Sequence, residues 1–148
     1  MRNPKHFFLY ALVFLLSLNI ACSQEKNNAG GKNPVQGSSV SSGNVLVTNN
    51  LDLDFSKHKV TFIELGADRC VPCKAMQPIM REIAEEYAGK IQVVFYDVWK
   101  DPRPARHYRI QLIPTQVFID QNEKEIFRHV GFFPKEEILQ MLKEKGIL

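Results

Sequence analysis

The chain has 148 residues, 45% of them hydrophobic and 24% charged, enough for one domain with its own core and ordinary for a globular protein. The formal charge of +3 reflects 19 basic and 16 acidic residues, and without Arg2 and Lys5, which lie in a segment read below as an export signal, the balance is 17 against 16. No basic face stands out, so the composition gives no reason to expect a nucleic-acid partner.

Met1 to His6 carries Arg2, Lys5 and His6, and Phe7 to Leu18 is an apolar run of 12 residues broken only by Ser17. A basic n-region before a short apolar h-region reads as an export signal, too short to span a bilayer comfortably. It ends at Leu18-Asn19-Ile20-Ala21-Cys22. That ending resembles the lipobox of bacterial lipoproteins, whose cysteine is lipidated and becomes the new N-terminus. Asn19 stands where the lipobox usually has leucine. Residues 1–22 are therefore expected to be a signal peptide with Cys22 as lipidation site. The alternatives are an ordinary cleaved signal or an uncleaved anchor, with Cys22 a stray thiol. Lipidation would also explain the odd count of three cysteines, Cys22, Cys70 and Cys73. Residues 23–44 are rich in Ser, Gly and Asn and read as a flexible tether with a typical span of roughly 25 Å.

The folded domain is expected over residues 45–148. Val45-Leu46-Val47 suits a short edge strand, and Leu51 to Phe55 a helical turn or loop. Lys59 to Leu65 is an apolar run with one acid, Glu64, as in a central strand covered on both faces. A helix is expected from Cys70 to Ala88, with Met76, Ile79, Met80, Ile83, Ala84 and Tyr87 forming its apolar stripe, a kink at Pro78 and a stop at Gly89. Ile91 to Val98 reads as a second buried strand, and Asp101 to Tyr108 as a short helix capped by Asp101 with Pro102 at its first position. Two further strands, Gln116 to Asp120 and Glu125 to Val130, flank a polar turn at 121–124, and a closing helix spans Pro134 to Glu144. The order β-α-β-α-β-β-α demands a parallel first half and an antiparallel hairpin.

Between the first long strand and the first helix lies Cys70-Val71-Pro72-Cys73-Lys74. A Cys-x-x-Cys at such a junction is the local signature of a thiol–disulfide redox site. Cys70 caps the helix, where unpaired N–H groups and the macrodipole favour the nucleophilic thiolate. Cys73 follows one turn on, close enough to form a disulfide with it. The other readings of the pair are a structural disulfide or half of a zinc site. His58, His107 and His129 show no ligand-like spacing, and no metal or cofactor is expected.

Residues 45–148 resemble the thioredoxin family. The carrying residues are Cys70-Val71-Pro72-Cys73-Lys74 at the active-site turn, Pro78 at the helix-kinking proline, Ile113-Pro114-Thr115 at the cis-proline loop, Gly131 after the last strand, and Glu64 where the family usually has a buried aspartate. The resemblance implies a thioredoxin fold, an α/β architecture with a central mixed sheet flanked by helices. It also implies that Cys70 attacks a partner's disulfide, that Cys73 resolves the mixed disulfide, and that Pro114 follows a cis bond opposite the cysteines. Ile113 would pair its backbone with substrate, and Val71, Pro72 and Gly131 would line the docking surface. Buried, Glu64 would take the proton of Cys73; turned to solvent or paired with Lys74, it would not. Arg69, Gly66 and Val71 depart from the family's two common tryptophans and its usual glycine, and Phe95 stands where a lysine is often found near the acid.

With the export signal and tether, the chain resembles extracytoplasmic thioredoxin-like lipoproteins. The expected function is a periplasmic or otherwise extracytoplasmic, membrane-tethered thiol–disulfide oxidoreductase, acting as a reductase because Pro72 lacks an N–H that would stabilise the Cys70 thiolate. Arg69 argues weakly for an oxidant. The alternatives are an oxidase or isomerase, or a non-catalytic binding or metal-carrier module on the same fold. The implied partners are exported cysteine-containing proteins, apocytochrome c among them, and a membrane thiol–disulfide electron carrier. The chain is expected to be a monomer. Phe132 and Phe133 are read as core or rim, with a contact for partners as the alternative.

Overall fold

The computed structural model describes residues 44–148. Residues 1–22, expected to be an export signal ending at Cys22, and residues 23–43 of the expected tether lie outside the described residues. Five strands form one mixed sheet: β1 (Leu46–Val47), β2 (Val60–Gly66), β3 (Ile91–Asp97), β4 (Thr115–Asp120) and β5 (Glu125–Val130). Their order is β1-β3-β2-β4-β5. β3 pairs in parallel with β1 and β2, whereas β4 pairs antiparallel with β2 and β5. The helices are α1 (Val71–Glu86), α2 (Arg103–His107) and α3 (Lys135–Glu144), with a single 3₁₀ turn at Phe55–Lys57. This is the thioredoxin fold expected from the sequence. Among the described residues no helix is long and apolar enough to cross a membrane.

β2 and β3 are buried along their whole length, as their continuous apolar runs require of strands covered on both faces. Alternation assigns each side chain to one of two cores. Val60 and Phe62 of β2, Val93 and Phe95 of β3 and Phe118 of β4 pack with Met76, Met80, Ile83 and Ala84 of α1 and Ile138, Met141 and Leu142 of α3. Ile63, Leu65, Val94, Tyr96 and Val117 point to the other face, where Tyr108, Ala105 and Ile110 close over them. The first core contains a chain of aromatic rings: Phe62 stacks on Phe118 with centroids 4.8 Å apart, and Phe127 on Phe133 at 5.8 Å.

Element ends follow local chemistry. Cys70 is the N-cap of α1, just outside the helix, and Pro72 occupies its first turn, where a missing N–H does no harm. The helix runs through Pro78 and ends at Glu86, with Tyr87 as its C-cap, rather than at Ala88, and Gly89 adopts φ 75° in the turn that follows. The Tyr87 carbonyl accepts N–H groups from Lys90 and Ile91, both at 2.9 Å, and so hands the chain directly to β3. α2 begins one residue later than expected, with Pro102 rather than Asp101 at its N-cap position and Arg103 as its first residue. Asp101 still caps it: the Arg103 N–H donates to Asp101 Oδ1 at 2.9 Å.

Candidate active site

The turn between β2 and α1 presents two sulfurs with different surroundings. Cys70 and Cys73 are joined by a disulfide, with Cα atoms 5.2 Å apart. Cys70 is half-buried, whereas Cys73 is only 1% exposed. The Cys73 N–H donates to Cys70 Sγ at 3.3 Å, so the first sulfur is both the accessible one and the one at the helix's positive end. Cys73 packs against Gly66: a Cβ there would lie 3.2 Å from Cys73 Cβ, 3.3 Å from its Sγ and 3.1 Å from Phe95 Cε2. Glycine is needed here for close approach rather than for backbone freedom.

Asp97 braces the turn from below. Its carboxylate accepts N–H groups from Trp99 at 3.1 Å, Lys100 at 3.2 Å and Asp68 at 3.4 Å. Burial alone would raise its pKa, but these donors and the Lys100 ammonium win, and the pKa is lowered. Lys100 also pairs with Asp68. Arg69, immediately before Cys70, is exposed and makes no ion pair among the described residues.

Glu64 lies on the sheet face covered by α1, two residues before Gly66, with Phe95 of β3 and Gln116 of β4 as its register partners. It is fully buried, which removes both alternatives, a solvent-facing acid and an ion pair with Lys74. Gln116 Nε2 donates to Glu64 Oε2 at 2.8 Å; Oε1 is buried with no partner among the described residues. Desolvation pushes the acid up to about 8, against a smaller downward pull from the Gln116 hydrogen bond. Phe95 supplies no compensating cation, so burial decides the direction.

The Ile113–Pro114 peptide bond is cis. Pro114 is buried and Ile113 half-buried. The Pro114 carbonyl accepts the Gly131 N–H at 2.8 Å, and the Gly131 carbonyl accepts from Gln116 Nε2 at 3.1 Å. Gly131 has φ 99°, a conformation that side-chain-bearing residues rarely adopt. Val71 and Pro72 are exposed, Val71 at 78%. Phe132 and Phe133 part company: Phe132 is 47% exposed, and Phe133 is buried in the first core, its ring stacked on His129.

The residue missed in the sequence is Gln116. A period-2 reading of β4 places it on the same face as Phe118, and thus opposite Glu64, a polar side chain in an inward position.

The sequence profile of the thioredoxin family matches residues 43–144. The thioredoxin of Staphylococcus aureus is 32% identical over 94 residues, covering 62% of this chain and 89% of the relative. The chain belongs to the thioredoxin family. Among solved structures, a mutant thioredoxin from Halobacterium salinarum superposes with TM-score 0.63 at 23% identity, over 72% of this chain and 94% of that one. Thioredoxin f from spinach chloroplast gives TM-score 0.60 at 22% identity, over 70% and 94%. These two likenesses speak to the fold. The protein is thus a thioredoxin-like thiol–disulfide oxidoreductase with its Cys-x-x-Cys pair at Cys70 and Cys73.

Proposed function

We propose that this thioredoxin-family protein is a protein-disulfide reductase working outside the cytoplasm, tethered to a membrane through a lipid on Cys22. The observation that carries the catalytic reading is the pairing of a half-exposed N-cap Cys70 with a buried Cys73. Cys70 thiolate attacks a sulfur of the substrate disulfide; a Cys70–substrate bond forms, and the other substrate sulfur leaves as a thiolate. Glu64 carboxylate then takes the proton of Cys73. The Cys73 thiolate attacks Cys70 Sγ, closing the internal disulfide and expelling the second substrate thiolate. In the return half-cycle an incoming thiolate from a membrane electron carrier attacks Cys70. The departing Cys73 sulfur takes its proton back from Glu64, and a second thiolate of the carrier then attacks the carrier sulfur bound to Cys70, closing the carrier's disulfide and releasing Cys70 as a thiolate. Pro114 and Ile113 present the backbone on which an extended substrate segment docks, and Val71, Pro72 and Gly131 border it.

Direction follows from the donors around Cys70. Pro72 contributes no N–H, so the thiolate is stabilised less than at sites where that donor is present, and the dithiol gives up its electrons more readily. The exported location is supported by the basic start, the apolar run of Phe7 to Leu18, the Ala21-Cys22 ending and the Ser/Gly/Asn-rich stretch after it. The substrates would be exported proteins with oxidised cysteines, apocytochrome c being a candidate.

A second reading, an oxidase or isomerase, is favoured by Arg69, an exposed cation beside Cys70 that makes no ion pair among the described residues. The reduction potential separates the two: a value near about −270 mV marks a reductant, and one near about −120 mV an oxidant. Cys70→Ser must abolish reduction of insulin disulfides; retained activity would overturn the reading of Cys70 as nucleophile, and an unaltered protein that reduces no insulin would favour a non-catalytic binding module. Metabolic labelling with a radioactive fatty acid tests Cys22, and labelling that survives Cys22→Ser would refute lipidation there.

A further inference from the structure

Gln116 is a buried polar side chain that disulfide exchange does not by itself require. It follows Pro114 by two residues and faces Glu64 on β2 and His129 on β5. Its amide nitrogen carries two N–H donors, and it has two acceptors in reach: Glu64 Oε2 at 2.8 Å and the Gly131 carbonyl at 3.1 Å. Gly131 in turn donates its N–H to the Pro114 carbonyl at 2.8 Å. The Gly131 contact settles which way the amide faces, because the reversed amide would set its carbonyl against another carbonyl. Among the described residues the Gln116 N–H is the one hydrogen bond that the Glu64 carboxyl accepts.

We propose that Gln116 is a positioning residue for thiol–disulfide exchange: it holds the Glu64 carboxylate on the face against which Cys73 packs and ties it, through Gly131, to the cis-proline loop. The proposal rests on the reading of Glu64 as proton acceptor for Cys73. The neighbouring elements bring few groups that could take over its role. β3 brings Phe95, β5 brings His129 one strand beyond Gln116, α1 brings Cys73, and α3 brings Ile138, Met141 and Leu142 to this core. No fixed cation is among them, so an ionised Glu64 depends on the Gln116 amide.

The test is the stopped-flow reaction of the reduced protein with a chromogenic aromatic disulfide. Attack by Cys70 releases a first thiol, and a second is released only when Cys73 resolves the mixed disulfide. Gln116→Leu should move the rising pH limb of the second phase upward by about one unit, slowing it about tenfold at pH 7. The first phase should stay within about twofold. In a Glu64→Gln background, Gln116→Leu should change the second phase by less than about twofold, since it acts through the acid. Slowing of both phases, or equal slowing with and without the Glu64 carboxyl, would mean that Gln116 merely packs and would sink the proposal. A Glu64→Gln variant with an unchanged pH limb would instead remove the reading of Glu64 on which the proposal stands. A measurement on the unaltered protein needs no variant to fold. By NMR, the Gln116 side-chain amide must titrate with the same midpoint as the Glu64 carboxyl carbon; a Gln116 amide flat across that midpoint overturns the proposal.

Discussion

Glu64→Gln should change how stability depends on pH, by an amount that the buried acid sets. In the fold the carboxyl titrates at about 8, against 4.5 for an exposed glutamate. Between those values the unfolded chain has lost this proton while the native protein keeps it. The unfolded state therefore binds fewer protons, and stability falls as pH rises, by about 1.4 kcal/mol per unit. The stabilisation is fully present below the unfolded value and is gone above the folded one. The whole window is worth on the order of 5 kcal/mol, with roughly half of that lost between pH 5 and pH 7. Glutamine has nearly the same shape and does not titrate, so the variant lacks this loss. The lowered carboxylates, such as Asp97 and Asp120, contribute equally to both proteins and cancel in the difference. Guanidinium melts of the disulfide form at half-unit steps from pH 5 to pH 9 measure it. The variant's advantage over the natural chain should grow steadily and level off above pH 8. Two parallel stability curves would refute the buried, protonated acid.

Gly66→Ala places a methyl 3.1–3.3 Å from Phe95 and Cys73. It should cost about 1–3 kcal/mol, as overpacking does, and shift the reduction potential because Cys73 must move; an unchanged melt and potential would show that the contact yields freely. Phe118→Ala removes the ring that stacks on Phe62 at 4.8 Å and abuts Phe127 at 6.0 Å and Phe133 at 6.5 Å. A loss of about 3–5 kcal/mol is expected in denaturant melts, a large share of a small domain's margin. A loss under about 1 kcal/mol would mean that the aromatic chain is not the centre of that core. Gly131→Ala forces a side chain into φ 99° and should destabilise by about 1–3 kcal/mol while slowing exchange; a fully active, equally stable variant would separate Gly131 from the cis-proline loop.

Much of this architecture is written locally. The apolar runs of β2 and β3, the stripe from Met76 to Ala84, the Cys70 cap and the polar turn before β5 each follow from spacing and turn chemistry within a dozen residues. The Cys-x-x-Cys motif is equally local, because a helical turn alone brings the two sulfurs within bonding range. Local signals were less exact at helix ends. Asp101 caps α2 through Arg103 from one position further out than expected, since a carboxylate reaches any free N–H of a first turn.

What the chain could not disclose in one dimension is which distant residues share a surface. Glu64, Gln116 and Gly131 are separated by 52 and 15 residues along the chain and meet through hydrogen bonds. Whether Glu64 faced water, Lys74 or a closed core was undecidable from its own strand. An acid's ionisation is set by the dielectric and donors around it, and those come from β3, β4 and α1. Likewise Phe132 and Phe133, adjacent in sequence, take opposite fates because only one of them meets the aromatic rings of β4 and β5. Sequence determined the reactive sulfurs and the elements that carry them, since both depend on neighbours a few bonds away. Tertiary packing alone decided the protonation of Glu64, on the sheet face against which Cys73 packs, since desolvation is a property of everything that surrounds a group in space.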